Sequence, residues 1–364
     1  MADRWPLLAF HLKYPPGYVP GAGTPPTWAN FLDGAYQKSA AARLGVQSMI
    51  YRSAVRWKHQ IDYSLFGMSG VPHILVGKGG ELIETAYSDE YCRRDPEDMR
   101  KDALPWAEKI RTLQDEFEAR GQMFLYVITP SKVALHPEYL PDDYPCPGRA
   151  HADEKLAIYR QTLRTAGVHF VDGPALVHAA LGHYELDPYP QGGIHWDAIG
   201  AALAAQAVVK ALDEQGAWLS PFTFTVKTTY NAGSWDRDLQ DILNLMYRVT
   251  YPVPELTYSS QANGSCRRDR IAEDAGSFIF QINDALEKTA CPPEIRPYFY
   301  WKNYTTRSAD GWLLKQPENP EQRRADFLIW ADIVILEENE EALPKAVHAE
   351  ALMAMMRPNP DARR

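Results

Sequence analysis

The spacing of apolar and polar residues predicts alternating helices and strands through the middle of the chain. Apolar residues recur at helical spacing over residues 97–120, 152–166 and 198–213. Between these helices, the apolar runs at 123–129 and 168–172 are typical of strands. A run without polar alternation indicates a strand that is covered on both faces, as in a parallel sheet. We therefore expect a doubly wound α/β domain with helices on both faces of its sheet.

The two ends of the chain follow a different pattern. Residues 1–70 combine a lead-in rich in Pro and Gly with a helical pattern over 35–60, which predicts an N-terminal extension. Residues 71–345 form the predicted α/β domain, with a further buried strand at 331–336. Residues 346–364 are expected to form a C-terminal helix followed by a flexible tail.

Composition and charge narrow the class of protein. The 364 residues are 45% hydrophobic and 23% charged, which is ordinary for a globular chain. The net charge is −9 and no block of Lys and Arg occurs, so we do not expect a nucleic-acid partner. No stretch approaches the ~20 apolar residues of a membrane span. The start of the chain lacks a signal-peptide core, which leaves either a cytoplasmic protein or a targeting segment outside this numbering.

Two short segments carry side chains suited to acyl transfer. His195 lies on a glycine-containing loop just before the predicted helix at 198–213, and Asp197 is expected to cap that helix. Ser277 lies in a small-residue turn before an amphipathic pattern, where free backbone N–H groups can form an oxyanion hole. A serine hydroxyl is a weak nucleophile until a base takes its proton, so the pair matters only if the fold joins them. Alternatively, Ser277 is an ordinary helix cap and His195 a hydrogen-bonded buried histidine.

Three further residues are candidates for substrate contacts. Tyr298 and Tyr300 alternate in a predicted strand, so both side chains would face one side and line a sugar cleft or pack in the core. Lys132 follows the strand at 123–129, where it would meet an anionic substrate or simply lie at the surface.

The four cysteines leave two alternatives open. They form no CxxC pair, so neither a zinc site nor any other metal site is expected. Their even number permits two disulfides, one of which would bracket Ser277, but free buried thiols fit equally well. The cysteines are Cys92, Cys146, Cys266 and Cys291.

Several segments between residues 70 and 342 resemble, in their order, the AlgX/AlgJ family of polysaccharide O-acetyltransferases. They include Thr-Pro-Ser-Lys at 129–132 with Pro-Glu-Tyr-Leu-Pro at 137–141, His195-Trp196 with Gly200, Asp238-Leu239 with Ile242-Leu243, the Gly-Ser-Phe turn at 276–278 and Leu-Glu-Glu-Asn-Glu at 336–340.

The resemblance implies an SGNH-hydrolase-like three-layer sandwich with a mostly parallel sheet. It implies Ser277 as the nucleophile and His195 as the base, without a metal or organic cofactor. It further implies a periplasmic protein, with or without a membrane anchor in an N-terminal segment outside this numbering. Its partners would be a polysaccharide acceptor and a membrane-bound O-acyltransferase that supplies acetyl groups.

The chain departs from the family pattern near both residues. Gly193 stands two positions before His195, where the family usually has an aspartate, so the acid that orients the imidazole must come from elsewhere or be absent. Asp187 on the same loop is our predicted substitute, unless it is a solvated loop carboxylate. Glu273 and Asp274 precede the serine where an apolar strand is expected, and they would either oppose its ionisation or face solvent.

We therefore predict an O-acetyltransferase that moves an acetyl group onto exopolysaccharide hydroxyls through a Ser277 acetyl-enzyme, with His195 as general base. One alternative is a carbohydrate acetylesterase, in which water takes the acetyl group. Another is a noncatalytic polysaccharide-binding scaffold of an acetylation or export complex, which the glycine at position 193 favours.

Overall fold

The structure is a computed structural model, and it describes most of the chain. The described residues are 24–47, 49–262, 266–301, 303–308, 311–314, 319–345 and 347–357. The predicted flexible tail beyond residue 357 and most of the lead-in rich in Pro and Gly lie outside them.

Strands and helices alternate through the central part of the chain as the sequence predicted. The strands are β1 (Ile74–Val76), β2 (Leu82–Glu84), β3 (Met123–Thr129), β4 (Phe170–Asp172), β5 (Phe222–Thr229), β6 (Val253–Ser260), β7 (Arg270–Ala275), β8 (Glu294–Phe299), β9 (Asn303–Ser308), β10 (Gly311–Leu314) and β11 (Ile333–Asn339). The helices are α1 (Trp28–Leu32), α2 (Ala35–Gln47), α3 (Met49–Phe66), α4 (Thr85–Cys92), α5 (Pro96–Glu118), α6 (Lys132–Leu135), α7 (Glu154–Ala166), α8 (Gly173–Ala180), α9 (Ala198–Asp213), α10 (Asp238–Ile242), α11 (Ile279–Leu286), α12 (Pro320–Ala325) and α13 (Val347–Met356).

The central sheet has the strand order β10-β9-β8-β7-β11-β3-β4. Strands β8, β7, β11, β3 and β4 run parallel, whereas β9 and β10 add an antiparallel edge. Strand β11, the middle one of the five parallel strands, is aligned with both neighbours, so that Ile335 lies opposite Leu125 on one side and Glu273 on the other. The predicted mostly parallel sheet is confirmed.

Two apolar cores cover the two faces of this sheet. On one face, α8, α9 and α11 pack with the β5–β6 hairpin around the fully buried Trp196. On the other face, α5, α7 and α13 pack around Trp106 and Phe117. Burying each such side chain stabilises the fold by about 1.5–3 kcal/mol, which explains why β3, between the layers, is almost wholly apolar. The fold is the expected three-layer α/β sandwich.

The region predicted as an N-terminal extension contains the helices α1, α2 and α3, and its separation from the α/β domain stays a prediction. Helix α3 docks on the segment after α10, where His59 Nδ1 lies 2.8 Å from the Leu243 carbonyl oxygen. The Tyr247 amide donates to Gln60 Oε1 at 2.9 Å. Among the described residues, no helix is both long and apolar enough to cross a bilayer.

All four cysteines are paired, which decides between the two alternatives left open by the sequence. Disulfides join Cys92 to Cys146 and Cys266 to Cys291. The second bridge encloses the segment that contains Ser277, as one of the alternatives predicted.

Candidate active site

Ser277 and His195 meet at the carboxyl edge of the parallel sheet. The distance between Ser277 Oγ and His195 Nε2 is 2.7 Å, a hydrogen bond. The serine is half-buried and follows directly on β7, whereas the histidine is 6% exposed. Open α/β sheets bind ligands at this edge, because the loops there surround a crevice. The fold therefore joins the two side chains on which the predicted chemistry depends.

The serine is presented by a local strand–turn–helix unit. Strand β7 ends at Ala275, and α11 begins at Ile279. The Gly276 amide donates to Glu337 Oε2 at 2.7 Å, and a Cβ at Gly276 would lie only 3.2 Å from that oxygen. The first backbone bond of the turn runs from Phe280 to the Ser277 carbonyl at 3.4 Å. The preceding amides thus lie outside the hydrogen bonds of the helix and can bind a developing oxyanion.

Asp238 is the carboxylate that contacts the imidazole. Its Oδ2 lies 2.5 Å from His195 Nδ1. Its Oδ1 accepts from the amides of Ile194 at 2.8 Å and Leu239 at 2.7 Å, so the carboxylate is oriented from both sides. A carboxylate in this position holds the imidazole with Nε2 free to take a proton from Ser277.

The prediction that Asp187 would orient His195 is wrong. Its side chain is 48% exposed and lies 4.0 Å from His136 Nε2, on another part of the loop. The structure also explains Gly193, because a Cβ there would stand 2.7 Å from the Trp235 carbonyl oxygen. The segment leading into α10 fills the space that a side chain at position 193 would need, and the same segment supplies Asp238.

Local sequence patterns gave little sign of Asp238, because no short spacing links it to the histidine. In the sequence, Asp238 was noticeable only as part of the Asp238-Leu239 element, one of the segments that resemble the family. Leu239 and Leu243 are buried against Leu82 of β2, and this packing sets the position of α10. The role of Asp238 therefore depends on a contact between elements that are distant in the chain.

Lys132 does not reach a substrate. Its ammonium group is buried and lies 2.7 Å from Glu81 Oε2. It also donates to the carbonyl oxygens of Pro190 at 2.7 Å and Leu82 at 3.2 Å. Burial lowers the pKa of Lys132, and the charge of Glu81 acts against this shift. Both sequence interpretations, an anion contact and a surface lysine, are wrong, because the side chain fastens the loop before His195 to β2.

Tyr298 and Tyr300 do not share one side of a strand. Tyr298 is buried, and its hydroxyl donates to Asp326 Oδ2 at 2.6 Å, so it belongs to the core and is not a sugar contact. Tyr300 follows the end of β8 with a φ of 47°, which turns its side chain away from the strand alternation. It is 46% exposed, and its hydroxyl would lie 4.0 Å from a Cβ at Gly276. Its proposed contact with substrate stays a prediction, now supported by its place beside the serine turn.

The two acids before the serine are buried within β7 and face opposite sides of the sheet. Asn283 Nδ2 donates to Glu273 Oε2 at 2.7 Å. Asp274 Oδ1 lies 2.8 Å from His348 Nδ1. Burial raises the pKa of Glu273 to about 8, while the bond from Asn283 opposes the shift. The expectation that these acids face solvent is wrong, because both are buried and one oxygen of each contacts a partner inside the fold.

The acidic motif at the end of β11 joins the end of β3 to the serine turn through hydrogen bonds. Glu337 accepts from the Thr129 hydroxyl at 2.5 Å as well as from Gly276. Glu340 accepts from the Ser131 amide at 2.7 Å. Burial is the main cause that raises the pKa of Glu337. These carboxylates are therefore structural supports of the edge on which the serine lies.

The Asp197 side chain caps α9 as expected, accepting from the amides of Ile199 at 2.7 Å and Gly200 at 3.1 Å. Within the part of the chain that the structure describes, no group of three or more His, Cys, Asp or Glu side chains is arranged to hold a metal ion.

The amino-acid sequence of this chain is similar to those of known proteins. Residues 87–267 match the family of SGNH hydrolase-like domains of the acetyltransferase AlgX. The probable alginate O-acetylase AlgJ of Pseudomonas aeruginosa is 26% identical over 201 residues, which are 55% of this chain and 47% of that protein. The corresponding protein of Pseudomonas putida is 24% identical over 228 residues, 62% of this chain and 56% of that protein. The chain thus spans about half the length of these relatives.

Two solved structures align with the chain over much of its length. The O-acetyltransferase domain of Pseudomonas putida AlgJ has a TM-score of 0.49 and 18% identity, covering 80% of this chain and 96% of that one. Pseudomonas aeruginosa AlgX has a TM-score of 0.46 and 14% identity, covering 77% of this chain and 67% of that one. The family match confirms the resemblance recognised in the sequence, and it covers residues 87–267, just under half of the chain.

Proposed function

We propose that this protein is an O-acetyltransferase that acetylates polysaccharide hydroxyls through an acetyl-enzyme on Ser277. The observation that carries the proposal is the hydrogen-bonded chain from Asp238 through His195 to Ser277. It lies in a fold whose family is named for an acetyltransferase. The relatives are named as probable alginate O-acetylases, which supports a polysaccharide as the acceptor.

In the first half-reaction, His195 Nε2 takes the proton of the Ser277 hydroxyl while Oγ attacks the carbonyl carbon of the acetyl donor. The bond from that carbon to the leaving group breaks, and the leaving group departs with the proton from the imidazole. Asp238 stabilises the imidazolium between these events. Amides at the start of α11 stabilise the tetrahedral oxyanion, an effect worth about 3 kcal/mol for each donor.

In the second half-reaction, a sugar hydroxyl gives its proton to His195 and attacks the acetyl-enzyme. The ester bond to Ser277 breaks, and the serine oxygen recovers the proton. If water enters instead, the reaction is hydrolysis. The rings of Trp235 and Phe278 lie 4.9 and 4.7 Å from the imidazole ring, so apolar surface lines this part of the site and limits the access of water.

Two alternatives remain distinguishable by experiment. The noncatalytic scaffold was favoured by the missing acid at position 193, and Asp238 removes that argument because it contacts His195 directly. An acetylesterase would use the same three side chains with water as acceptor, so only the fate of the acetyl group separates it from a transferase.

A periplasmic location and an acetyl supply from a membrane-bound O-acyltransferase belong to the same proposal. The disulfides Cys92–Cys146 and Cys266–Cys291 support an oxidising compartment, because such bonds persist outside the reducing cytosol.

The test uses 4-nitrophenyl acetate as donor and oligosaccharides as acceptors. We expect wild type to form an acetyl-enzyme detectable by mass spectrometry, and Ser277→Ala and His195→Ala to lose about a thousandfold or more in turnover. Ser259→Ala, at an exposed serine on β6, is the matched control and should behave as wild type.

Acetylated oligosaccharide supports a transferase, whereas hydrolysis without any transfer supports the esterase. Absence of turnover in a folded wild-type protein that still binds oligosaccharide would identify the scaffold and refute the proposal.

A further inference from the structure

We propose that the acceptor is a glycan without carboxylate groups, in contrast to the polyuronate after which the curated relatives are named. The inference rests on the proposed function and concerns the charge of the cleft around Ser277. Three carboxylates lie around Ser277: Glu84 and Glu341 are half-buried, and Glu337 is buried and bonded to the serine turn.

Glu84 lies on the histidine side of the cleft. It is half-buried at the end of β2 and directly precedes α4. Strand β2 is joined to the histidine loop because the Leu82 amide donates to the Gln191 carbonyl at 2.9 Å. Leu82 also packs in one buried cluster with Leu239, the neighbour of Asp238. These contacts hold Glu84 next to the Asp238–His195 pair.

Glu337 and Glu341 lie on the serine side. Glu337 reaches the serine turn through the 2.7 Å bond from the Gly276 amide. Glu341 follows in the short turn after β11 and is half-buried. Tyr300 lies beside the serine turn, because its amide donates to the Ala275 carbonyl at 2.9 Å. The end of β11 and the end of β8 thus bring two carboxylates and a phenol to one place.

The three carboxylates lie close enough together to shift the pKa values of the same groups. Burial raises the pKa of Glu84, and the charges of Asp238 and Glu341 raise it further, while His73 and His195 act in the opposite direction. Burial also raises the pKa of Tyr300, and Glu337, Glu84 and Glu341 each add to that shift. A phenol beside the nucleophile therefore senses carboxylates on both sides of the cleft.

Nearby cations are largely committed to other partners. Lys132 is buried against Glu81 and loop carbonyls. Arg94 and Lys155 both lower the pKa of Glu341. Each of them also forms an ion pair with Glu90, at 2.8 Å for Arg94 and 2.6 Å for Lys155.

Two further cations face the cluster. The His348 ring lies 5.4 Å from the Tyr300 ring and is paired with Asp274; burial lowers the pKa of His348, but the bond to Asp274 and nearby carboxylates raise it overall. Lys345 is exposed, and its charge lowers the pKa of Glu341. Among the residues that the structure describes, three carboxylates and Asp238 outnumber the exposed Lys345 and His73, so the surroundings of Ser277 are negative.

Such a cleft discriminates by charge. A carboxylate about 8 Å from a like charge in water loses about twofold in affinity, and three such pairs together give about tenfold. A polyuronate carries one carboxylate on every sugar, so several would enter the field of the cleft at once. A neutral glycan avoids this repulsion, and a glycan with protonated amines would bind more tightly because the carboxylates attract it.

The first experiment measures this field with three small acetate esters of different charge at pH 8 and low salt. The probes are 4-nitrophenyl acetate, anionic 4-acetoxybenzoate and a cationic 4-acetoxyphenyl trimethylammonium, each corrected for its hydroxide-catalysed rate. We expect kcat/KM for the anionic ester to be about tenfold below that of the neutral one, and the gap to close as salt rises. In Glu84→Gln and Glu341→Gln the ratio of the two rates should move toward one.

Glu255→Gln is the matched control, because it removes the same charge from an exposed position on β6. Its ratio should equal that of wild type. The second experiment compares acetyl transfer from 4-nitrophenyl acetate to neutral cello-oligosaccharides and to mannuronate oligomers of equal length, with faster transfer expected to the neutral series.

The outcomes separate this inference from the proposed function. If no ester reacts, or if all are only hydrolysed and no glycan is acetylated, the transferase proposal itself fails. If esters react without a charge preference, if the preference survives both glutamine variants, or if mannuronate is acetylated as fast as the neutral series, the acceptor inference is overturned while acetyl transfer stands.

Discussion

The two sides of the candidate active site are built in different ways. The serine side is one continuous stretch, in which β7, the Gly276 turn and α11 follow each other within a few residues. The histidine side is assembled from three segments: the loop that carries His195, the start of α10 with Asp238, and the buried Lys132 that fastens that loop.

A short stretch of sequence is therefore sufficient to identify the serine side but not the histidine side. A strand–turn–helix unit is specified by neighbouring residues, so its nucleophile is recognisable from a short segment. An orienting carboxylate can come from any element that packs nearby, because an imidazole requires a position and not a spacing in the chain. Perturbing each side in turn should therefore have separable effects.

The largest effect is expected on the histidine side from Asp238→Asn compared with Asp187→Asn. Asp238→Asn should lower kcat by roughly 10³–10⁴, because the amide favours the wrong imidazole tautomer. Asp187→Asn should stay within about twofold of wild type, since Asp187 lies away from His195. Ester turnover by purified, folded variants measures both, and equal losses would refute the assignment of Asp238.

A second effect on the same side is one of stability. Lys132→Met leaves Glu81 and several loop carbonyls without their partner, and we expect the free energy of unfolding to fall by about 3 kcal/mol. Urea denaturation measures this change. Lys227→Met, at an exposed lysine on β5, is the control and should change it by less than about 0.5 kcal/mol. A similar small change for Lys132→Met would contradict its structural role.

On the serine side, Glu273 makes stability depend on pH. Its pKa is raised to about 8 in the folded protein, against an ordinary value of 4.5, so the folded state keeps a proton that the unfolded chain has lost. Stability should therefore fall as pH rises from about 5 to 8. Glu273→Gln should reduce this fall by roughly 2 kcal/mol, because a neutral amide replaces the buried acid.

Urea denaturation of both proteins at the two pH values measures the Glu273 contribution. Glu338, whose pKa burial raises to about 7, contributes a fall of the same sign that remains in the variant. An unchanged difference between the two pH values in Glu273→Gln would contradict the prediction.

The smallest effects distinguish the two tyrosines. Tyr298→Phe removes the hydroxyl that donates to the buried Asp326, so unfolding should become easier by about 1 kcal/mol without a change in kcat. Tyr300→Phe should leave stability nearly unchanged but lower acetyl transfer several-fold, because its hydroxyl lies beside the serine turn. The reverse pattern would show that the assignments are exchanged.

Much of the fold was predictable from hydrophobic pattern. The strand at 123–129 and the helix at 198–213 were predicted with the bounds that the structure shows. Strand β7 was harder to recognise, because Glu273 and Asp274 break its apolar pattern. Both acids are buried with specific partners, and the partners come from α11 and α13. A local pattern contains no information about partners that lie on other elements.

The site was predicted in the same uneven way. Ser277 and His195 were identified from their local turns and from the order of segments in the chain. Asp187, Tyr298 and Lys132 were assigned from their nearness in sequence to those turns or strands, and in each case the structure places the side chain elsewhere. Nearness along the chain is a weak guide once a loop reverses direction.

The amino-acid sequence by itself determined the alternation of helices and strands, the parallel sheet, and the two turns that expose a serine and a histidine. These properties follow from short-range periodicity and turn chemistry, which neighbouring residues specify. Tertiary structure alone decided that the serine and the histidine touch, that Asp238 contacts the histidine, and that several carboxylates lie nearby. Such features depend on distances between remote segments, and those distances exist only once the chain has packed.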